Sequence, residues 1–217
     1  VPGTLGDVLR SNLERAGFKG EVRYVNPGHA EIAGRPAFPS VRDLPGPPAD
    51  LAIIATPALT VPDVVSQCGA TGVRGAIVVS AGFRDGGEAG RALEAELRLS
   101  ARRAGVRFLG PHSLGVIRTD LCLNAACGPD QPLPGRLALV SESGALCAAM
   151  IDWSRGRRVG FSTVISSGVS ADIGLNEILD FLVHDAATDS IMLYVEGIQD
   201  ARRFMSALRA AARVKPV

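Results

Sequence analysis

The sequence is poor in aromatic residues and carries almost no net charge. Aromatic residues make up 5% of the chain, and its formal charge is +1 at pH 7. Proteins that bind single-stranded nucleic acid set aromatic side chains among basic ones, and those that bind duplexes or anionic membranes present strongly basic faces. The composition therefore favours neither nucleic acid nor a membrane surface as a partner.

Long apolar runs and paired metal ligands are also missing. No apolar run approaches the roughly 20 residues that a membrane-spanning helix needs, and no signal-peptide pattern begins the chain. The four cysteines lack CxxC spacing, and the three histidines lack HxxxH or HExxH spacing. The sequence therefore predicts reduced, buried thiols, a cytoplasmic location and no metal site.

Short apolar runs alternate with amphipathic stretches along the 217 residues, enough chain for one large or two small domains. The runs at 51–55, 75–79 and 137–140 are typical of strands buried on both faces of a parallel sheet. Stretches such as 88–103 and 201–212 have the apolar spacing of helices. This alternation predicts an α/β fold with parallel sheets and right-handed crossovers.

Two segments interrupt the alternation and suggest where the chain divides. Residues 32–44 indicate loop and turn, and residues 116–127 indicate a weakly structured extension. The Pro- and Gly-rich stretch 128–135 has the composition of a linker. We therefore expect one domain over residues 1–127 and a second over 136–217.

The stretch 136–153 contains a strand, a turn and a helix in succession. Apolar residues at 137–140 lead through the turn SESG at 141–144 into an unbroken helix-forming segment. Free backbone N–H groups at such a helix start favour phosphate or carboxylate. The alternative is that Ser141 or Ser143 simply caps the helix. A nucleophile elbow is excluded, because Ser141 stands where that motif requires glycine.

The residues that directly follow the predicted strands, which we call exit loops, are mostly small, polar or Pro-bearing. In an open parallel sheet these loops meet at one edge, where ligands bind. Glycine lets a bulky group approach the backbone closely, and carboxylates are few. The pattern favours an elongated anionic ligand, such as a nucleotide-like cofactor, over a metal or a sugar. In chain order the loops read NPGH, TPA, SAGF, GPHS, SESG, SSGVSAD and EGIQD.

The two ends of the chain indicate a fragment. Residues 2–6 (PGTLG) are typical of the second half of a Gly-rich phosphate turn whose strand is missing, or of an ordinary turn before a helix. Position 1 is not Met, and residues 215–217 stop where a further strand can begin. An NAD(P)-binding Rossmann fold is an alternative, but it requires GxGxxG after a strand and an acidic residue roughly 20 positions later. Asn26 and Pro27 follow the next predicted strand instead.

Taken together and in order, the motifs resemble those of NDP-forming acyl-CoA synthetases, relatives of the succinyl-CoA synthetase α subunit. The same module occurs fused to GNAT domains that acetylate protein lysines. The resemblance covers essentially the whole chain and implies a Rossmann-like CoA-binding domain followed by a flavodoxin-like succinyl-CoA-ligase-type domain. The motifs that carry it are PGTLGxVLxxNL, VNPxH, DLAIIATPA, GAIVVSAGF, FLGPxSLGV, LPGRLALVSESGAL, DW, GFS and YVEGIQDARRF.

The resemblance also implies roles for individual residues. Glu196 matches the glutamate that supports the family's phosphohistidine, which belongs to a segment past Val217. The CoA-binding positions are Gly3, Thr4, Gly6, Asn26, Thr56, Pro57, Ser80, Ala81 and Gly82. The phosphate-binding positions are Ser141, Ser143, Gly144 and His112.

The family reaction interconverts acyl-CoA, phosphate and NDP with free acid, CoA and NTP through an acyl phosphate. The resemblance therefore implies binding of CoA or acyl-CoA by this chain, with ADP/ATP and Mg²⁺ required only in the complete enzyme. The expected partners are an ATP-grasp domain or subunit, or a fused acetyltransferase domain, and a homo-oligomer is among the expected assemblies. The alternative function is a catalytically silent, acyl-CoA-sensing regulatory module of a GNAT-fused acetyltransferase.

Two positions depart from the family pattern. His112 stands where the family usually has Asn, and an imidazole there could donate a hydrogen bond to phosphate. Gly28 stands where a lysine is common, so a cation that meets CoA phosphate is lost or is replaced. The candidate replacements are Lys19, Arg23 and Arg35.

Overall fold

The computed structural model describes residues 3–128 and 131–217, and the expected alternation of strands and helices runs through both ranges. The first part of the chain contains α1 (Leu5–Ala16), β1 (Tyr24–Val25), β2 (Glu31–Ile32), β3 (Arg35–Phe38), β4 (Leu51–Ile54), α2 (Val61–Ala70), β5 (Gly75–Val78), α3 (Gly87–Ala104) and β6 (Arg107–Leu109). The second part contains β7 (Gly115–Arg118), β8 (Leu123–Ala126), β9 (Pro134–Ser141), α4 (Gly144–Gly156), β10 (Phe161–Ser166), α5 (Leu175–His184), β11 (Ser190–Tyr194) and α6 (Ala201–Ala212). In the part of the chain that the structure describes, no helix is both long and apolar enough to cross a bilayer.

Strands β4, β5 and β6 form a parallel sheet in that order. On one face, Val65 of α2 and Leu97 of α3 belong to the same buried cluster as Val78. On the other face, Ile77 clusters with Leu9 of α1. Both faces of this sheet are covered, which explains why its strands are continuous apolar runs.

A second sheet has five strands in the order β11-β9-β10-β7-β8. Strands β11, β9 and β10 are parallel, as expected. Ile151 of α4 packs with Leu139 on one face. On the other face, Leu179 of α5 and Phe204 of α6 cluster with Val140. The α/β fold with parallel sheets is therefore confirmed.

The expectation of a weakly structured extension at 116–127 is wrong. This segment forms the antiparallel hairpin β7–β8, and β7 pairs with β10, so the hairpin extends the second sheet. Ile117 is 1% exposed. The amide of Asn12 in α1 donates to Ala126 O at 2.6 Å and to Gly128 O at 2.7 Å, which holds the hairpin against the first unit. The partners of the hairpin, β10 and Asn12, lie far away in the sequence. The residues of the segment alone therefore give little indication of strands.

The expectation of loop and turn at 32–44 is also partly wrong, because β2 and β3 pair as an antiparallel hairpin and β1 adds to β3. Strand β9 begins at Pro134, inside the stretch predicted as a linker. The domain boundaries drawn at residues 127 and 136 stay predictions.

Polar contacts at the start of β6 join the two units. The Arg107 guanidinium lies 2.9 Å from the carboxylate of Asp172 and 2.8 Å from that of Glu177. The same Asp172 carboxylate accepts from Phe108 N at 2.8 Å, and Ile173 N donates to Phe108 O at 3.1 Å. Backbone pairing between β6 and the segment after β10 therefore holds the first sheet beside the second.

Gly90 in α3 tests how closely that helix packs on the loop before it. A Cβ atom on Gly90 would lie 1.6 Å from Phe83 O. Helix propensity alone predicts that Gly90→Ala stabilises the protein by about 1 kcal/mol, whereas the clash predicts a loss of about 1–3 kcal/mol. We expect the loss, measured by urea denaturation. Gly156→Ala in α4 is the control, since nothing lies within 4 Å of its added Cβ; an equal loss in both variants would contradict the packing.

Candidate functional site

The exit loops of β4 and β5 lie against each other. The Ser80 hydroxyl donates to Thr56 O at 2.6 Å. Gly82 has a φ of +98°, and a Cβ atom added to it would lie 3.3 Å from Ala58 Cβ. The structure therefore brings together the predicted CoA-binding residues of these two loops. Of these residues, Pro57, Ala81 and Gly82 are exposed and Ser80 is buried.

Three buried hydroxyl groups in these and the neighbouring exit loops have no hydrogen-bond partner within the described chain: Thr56 Oγ1, Ser167 Oγ and Ser170 Oγ. Thr56 follows β4, and the two serines follow β10. A buried hydroxyl without a partner costs about 1–3 kcal/mol. Such groups fit a site that supplies their hydrogen bonds from a bound polar ligand.

Residues 110–114, which we call the bridging loop, connect the exit loops of both sheets. His112 N donates to Ser80 O at 3.0 Å, and Val169 N donates to Pro111 O at 3.0 Å. Leu114 N donates to the Ser166 hydroxyl at 3.0 Å. The bridging loop thus holds the exit loops of the two sheets together.

The start of α4 has the geometry of a capped helix. The Ser143 hydroxyl accepts from Leu146 N at 3.3 Å, so Ser143 is the N-cap. Ser141 is fully buried, and its hydroxyl accepts from Ser143 N at 3.0 Å. A Cβ atom on Gly144 would lie 3.1 Å from Leu114 Cβ, which places the helix start against the bridging loop. The N–H groups of Gly144 and Ala145 have no acceptor inside the helix, as at any helix start.

Glu142 connects this turn to the exit loop of β11, and sequence reasoning missed it. Its carboxylate accepts from Glu196 N at 2.6 Å and from Gly197 N at 2.9 Å. The Glu196 side chain is exposed beside it. The acidic residue is visible in the SESG motif, but its partners lie 54 and 55 residues away. No local pattern in the sequence indicates that contact.

Gly3, Thr4 and Gly6 form a turn at the start of α1. Side chains of the same turn accept hydrogen bonds from some of its backbone N–H groups. Gly3 has a φ of +80°, and its N–H donates to the Asp7 carboxylate at 3.3 Å. The Thr4 hydroxyl accepts from Asp7 N at 3.4 Å, which makes Thr4 the N-cap. Hydrogen bonds from Arg10, and then from Gly3 N, lower the pKa of Asp7. This carboxylate is therefore charged at neutral pH, and it lies where a ligand phosphate is expected.

Asn26 and the candidate cations belong to the outer part of the first unit. The Asn26 side chain accepts from Gly28 N at 2.8 Å and so closes its own turn. Arg23 is engaged elsewhere, because its guanidinium donates to Pro45 O at 2.8 Å and to Glu21 at 2.7 Å. The proposed replacement of the missing lysine by Arg23 is therefore not supported. Of the three candidate cations, Lys19 and Arg35 are exposed and remain candidates.

Comparison with protein-family models divides the chain into two matches. Residues 2–119 match a model described as a CoA binding domain. Residues 134–217 match a model described as a succinyl-CoA ligase like flavodoxin domain. The bridging loop falls at the end of the first match, and α4 with its SESG turn falls in the second.

Curated relatives and solved structures match nearly the whole chain. ADP-forming acetate–CoA ligase I of Archaeoglobus fulgidus is 43% identical over 215 residues, which cover 99% of this chain and 31% of the relative. The α subunit of ADP-forming acetate–CoA ligase I of Pyrococcus furiosus is 40% identical over 220 residues, which cover 100% of this chain and 47% of that subunit. The chain thus spans between about a third and a half of these relatives.

Among solved structures, the dinucleotide-forming acetyl-coenzyme A synthetase 1 of Candidatus Korarchaeum cryptofilum, in complex with phosphate and ADP, is similar with a TM-score of 0.93 and 36% identity. That match covers 99% of this chain and 46% of the synthetase chain. PH0766 of Pyrococcus horikoshii is similar with a TM-score of 0.94 and 35% identity, over 100% of this chain and 49% of its own.

The cysteines give a direct test of how tightly the site is packed. Burial raises the pKa of the Cys68, Cys127 and Cys147 thiols to about 11, whereas Cys122 is exposed in the turn of the β7–β8 hairpin. The thiolate is the reactive form, so a raised pKa slows alkylation. We expect one fast-reacting thiol at pH 7, lost in Cys122→Ser, measured with a chromogenic thiol reagent. Fast labelling of Cys147, beneath the SESG turn, would contradict this packing.

Proposed function

The chain belongs to the NDP-forming acetate–CoA ligase family, in the portion that combines the CoA-binding and succinyl-CoA ligase-like flavodoxin domains, and we propose that it holds CoA and phosphate for an acyl-CoA synthetase reaction. The observation that carries this proposal is the bridging loop, which hydrogen-bonds to exit loops of both sheets. A thioester can form from an acyl phosphate only where the CoA thiol and the phosphate meet. The proposed reaction interconverts acyl-CoA, phosphate and NDP with free acid, CoA and NTP.

On the first unit, we propose that the exit loops of β4 and β5 and the start of α1 bind CoA. The Thr56 hydroxyl is buried and has no partner in the described chain, so a polar group of the ligand would satisfy it. Nothing lies within 4 Å of a Cβ atom added to Gly3, so a diphosphate that displaces the Asp7 carboxylate would have room beside the Gly3 N–H. The proposed CoA-binding residues are Gly3, Thr4, Gly6, Asn26, Thr56, Pro57, Ser80, Ala81 and Gly82.

On the second unit, we propose that phosphate binds at the start of α4. The helix presents the N–H groups of Gly144 and Ala145, and its dipole favours a negative charge there. The hydroxyls of Ser167 and Ser170, which lack partners within the described residues, lie in the exit loop of the adjacent strand β10. Ser141 and Ser143 shape the turn. His112 supplies a further contact from the bridging loop.

We propose that Glu196 accepts a hydrogen bond from a phosphorylated histidine and holds that imidazole in its reactive tautomer. Glu142 keeps the Glu196 backbone in place through two N–H donors. We further propose that the nucleotide, with Mg²⁺, is bound by an ATP-grasp domain or subunit. One relative of this chain is itself named as an α subunit, which supports a partner subunit.

A second candidate function is an acyl-CoA-sensing module without synthetase chemistry, as in GNAT-fused acetyltransferases. The carboxylate of Glu142 favours it, because it adds a negative charge next to the proposed phosphate site and the exposed Glu196. Phosphate affinity separates the two functions: a synthetase binds CoA and phosphate, whereas a sensor needs only the CoA thioester.

Isothermal calorimetry with CoA, acetyl-CoA and NAD tests the CoA site, with Thr56→Val as the diagnostic variant. Valine has the shape of threonine without the hydroxyl. We expect CoA to bind, and Thr56→Val to weaken it roughly tenfold while stabilising the free protein by about 1 kcal/mol, because an unsatisfied hydroxyl is removed. Thr60→Val is the control, since the Thr60 hydroxyl is exposed and already donates to Pro57 O at 2.8 Å. NAD binding without CoA binding would refute the proposal.

The phosphate site is tested by Gly144→Glu compared with Gly144→Gln. Both side chains must pass Leu114, whose Cβ lies 3.1 Å from the new Cβ, so the steric change is shared. We expect the glutamate variant to bind phosphate roughly tenfold more weakly than the glutamine variant, because a carboxylate at the helix start competes for the same N–H groups. Equal affinities by phosphate titration would mean that the turn is only a helix cap.

A further inference from the structure

The Asp85 carboxylate occupies an anion position between two exit loops. Its two oxygens lie 3.1 and 3.2 Å from Gly82 N, which donates to them. One of these oxygens also lies 3.8 Å from Nδ1 of His112 in the bridging loop. A negative group of the protein thus sits between a backbone donor and an imidazole.

The backbone of His112 is held on two sides. It has a φ of +57°, and its N–H donates to Ser80 O at 3.0 Å. On the opposite side, Gly168 packs so closely that an added Cβ atom would lie 2.8 Å from His112 O. The side chain itself is 57% exposed, so a ligand can reach the ring.

We infer that His112 and Gly82 N–H form a proton-dependent contact for a phosphate group, and that Asp85 is the internal anion this phosphate displaces. The inference rests on the proposed function and adds its regulation by pH. Imidazolium donates a charge-assisted hydrogen bond to phosphate, and neutral imidazole attracts it much less. An asparagine at this position would donate without titrating.

Two neighbouring charged side chains are paired with other residues and so do not pair with Asp85 or His112. Arg84, next to Asp85 in the chain, is bound to Glu94 at 2.7 Å. Asp172, in the segment after β10 that packs on the bridging loop, is bound to Arg107 at 2.9 Å. A protonated His112 attracts Asp85 as well, but a diphosphate or a dianion carries two charges against the one of the carboxylate, so protonation favours the ligand and affinity rises as pH falls.

Two ligands carry the required chemistry, the diphosphate of CoA and free phosphate. Dephospho-CoA keeps a constant diphosphate charge between about pH 6 and pH 8, and sulfate remains a dianion over the same range, so neither probe contributes its own titration. A pH response with dephospho-CoA assigns the contact to the CoA diphosphate. A response with sulfate alone assigns it to the free phosphate.

The test measures the affinity of both probes from about pH 8 to pH 6 for the wild type and His112→Asn. We expect about a tenfold increase for one probe in the wild type, which corresponds to about 1.4 kcal/mol, and a flat profile in His112→Asn. Asparagine tolerates the positive φ, so the backbone is preserved. His184→Asn, at the end of α5, is the control and should keep the wild-type slope. A wild-type slope in His112→Asn, or no slope for either probe in the wild type, would overturn the inference.

Asp85→Asn tests the displaced anion separately. Its side-chain oxygen can still accept from Gly82 N, but the charge is gone. We expect the affinity of the responding probe at pH 8 to rise about threefold, the size expected for removing one like charge near the surface, whereas Asp43→Asn, an exposed carboxylate outside the pair, should change nothing. An unchanged affinity in Asp85→Asn would overturn the displacement. Absence of CoA binding at every pH would instead refute the proposed function, while CoA binding without a His112-dependent slope refutes only this inference.

Discussion

The backbone hydrogen bonds of the bridging loop are the constraint on which the rest of the structure depends. Buried N–H and C=O groups must find partners, and this loop finds them in both units, at Ser80 O on one side and with Val169 N and the Ser166 hydroxyl on the other. The exit loops of two separate sheets therefore face each other. A ligand that extends from one unit to the other meets both sets of backbone donors and buried hydroxyls.

The same donors attract the protein's own carboxylates. Asp7 accepts from Gly3 N, Asp85 from Gly82 N, and Glu142 from Glu196 N and Gly197 N. Each contact lies in a turn or exit loop where an anionic ligand is expected. Exposed N–H groups at helix starts and turns stabilise negative charge, so the free protein satisfies them internally. A phosphate group bound at one of these positions, as we propose, would have to compete with the carboxylate that occupies it.

Only part of the candidate site can be predicted from the sequence. The small residues of TPA, SAGF, GPHS and SESG predict exit loops that a ligand can approach, and the structure places these loops in contact. The capping role of Ser143 was one of two alternatives that the motif left open. The contact of Glu142 with Glu196 N joins residues 54 positions apart, and that of Asp85 with His112 depends on where the bridging loop lies. No spacing rule encodes such contacts.

The sequence by itself determined the elements whose signal is local. The helix expected at 201–212 occurs with those bounds, and the helix expected at 88–103 extends one residue further at each end, because apolar periodicity and capping residues act within a few positions. Only the tertiary structure decided that residues 116–127 form a hairpin of the second sheet and that β2 pairs with β3. It also decided from which backbone N–H groups the carboxylates accept hydrogen bonds. The energy of those contacts comes from distant partners, such as β10 for β7 and Asn12 for the end of β8, so it exists only once the chain has folded.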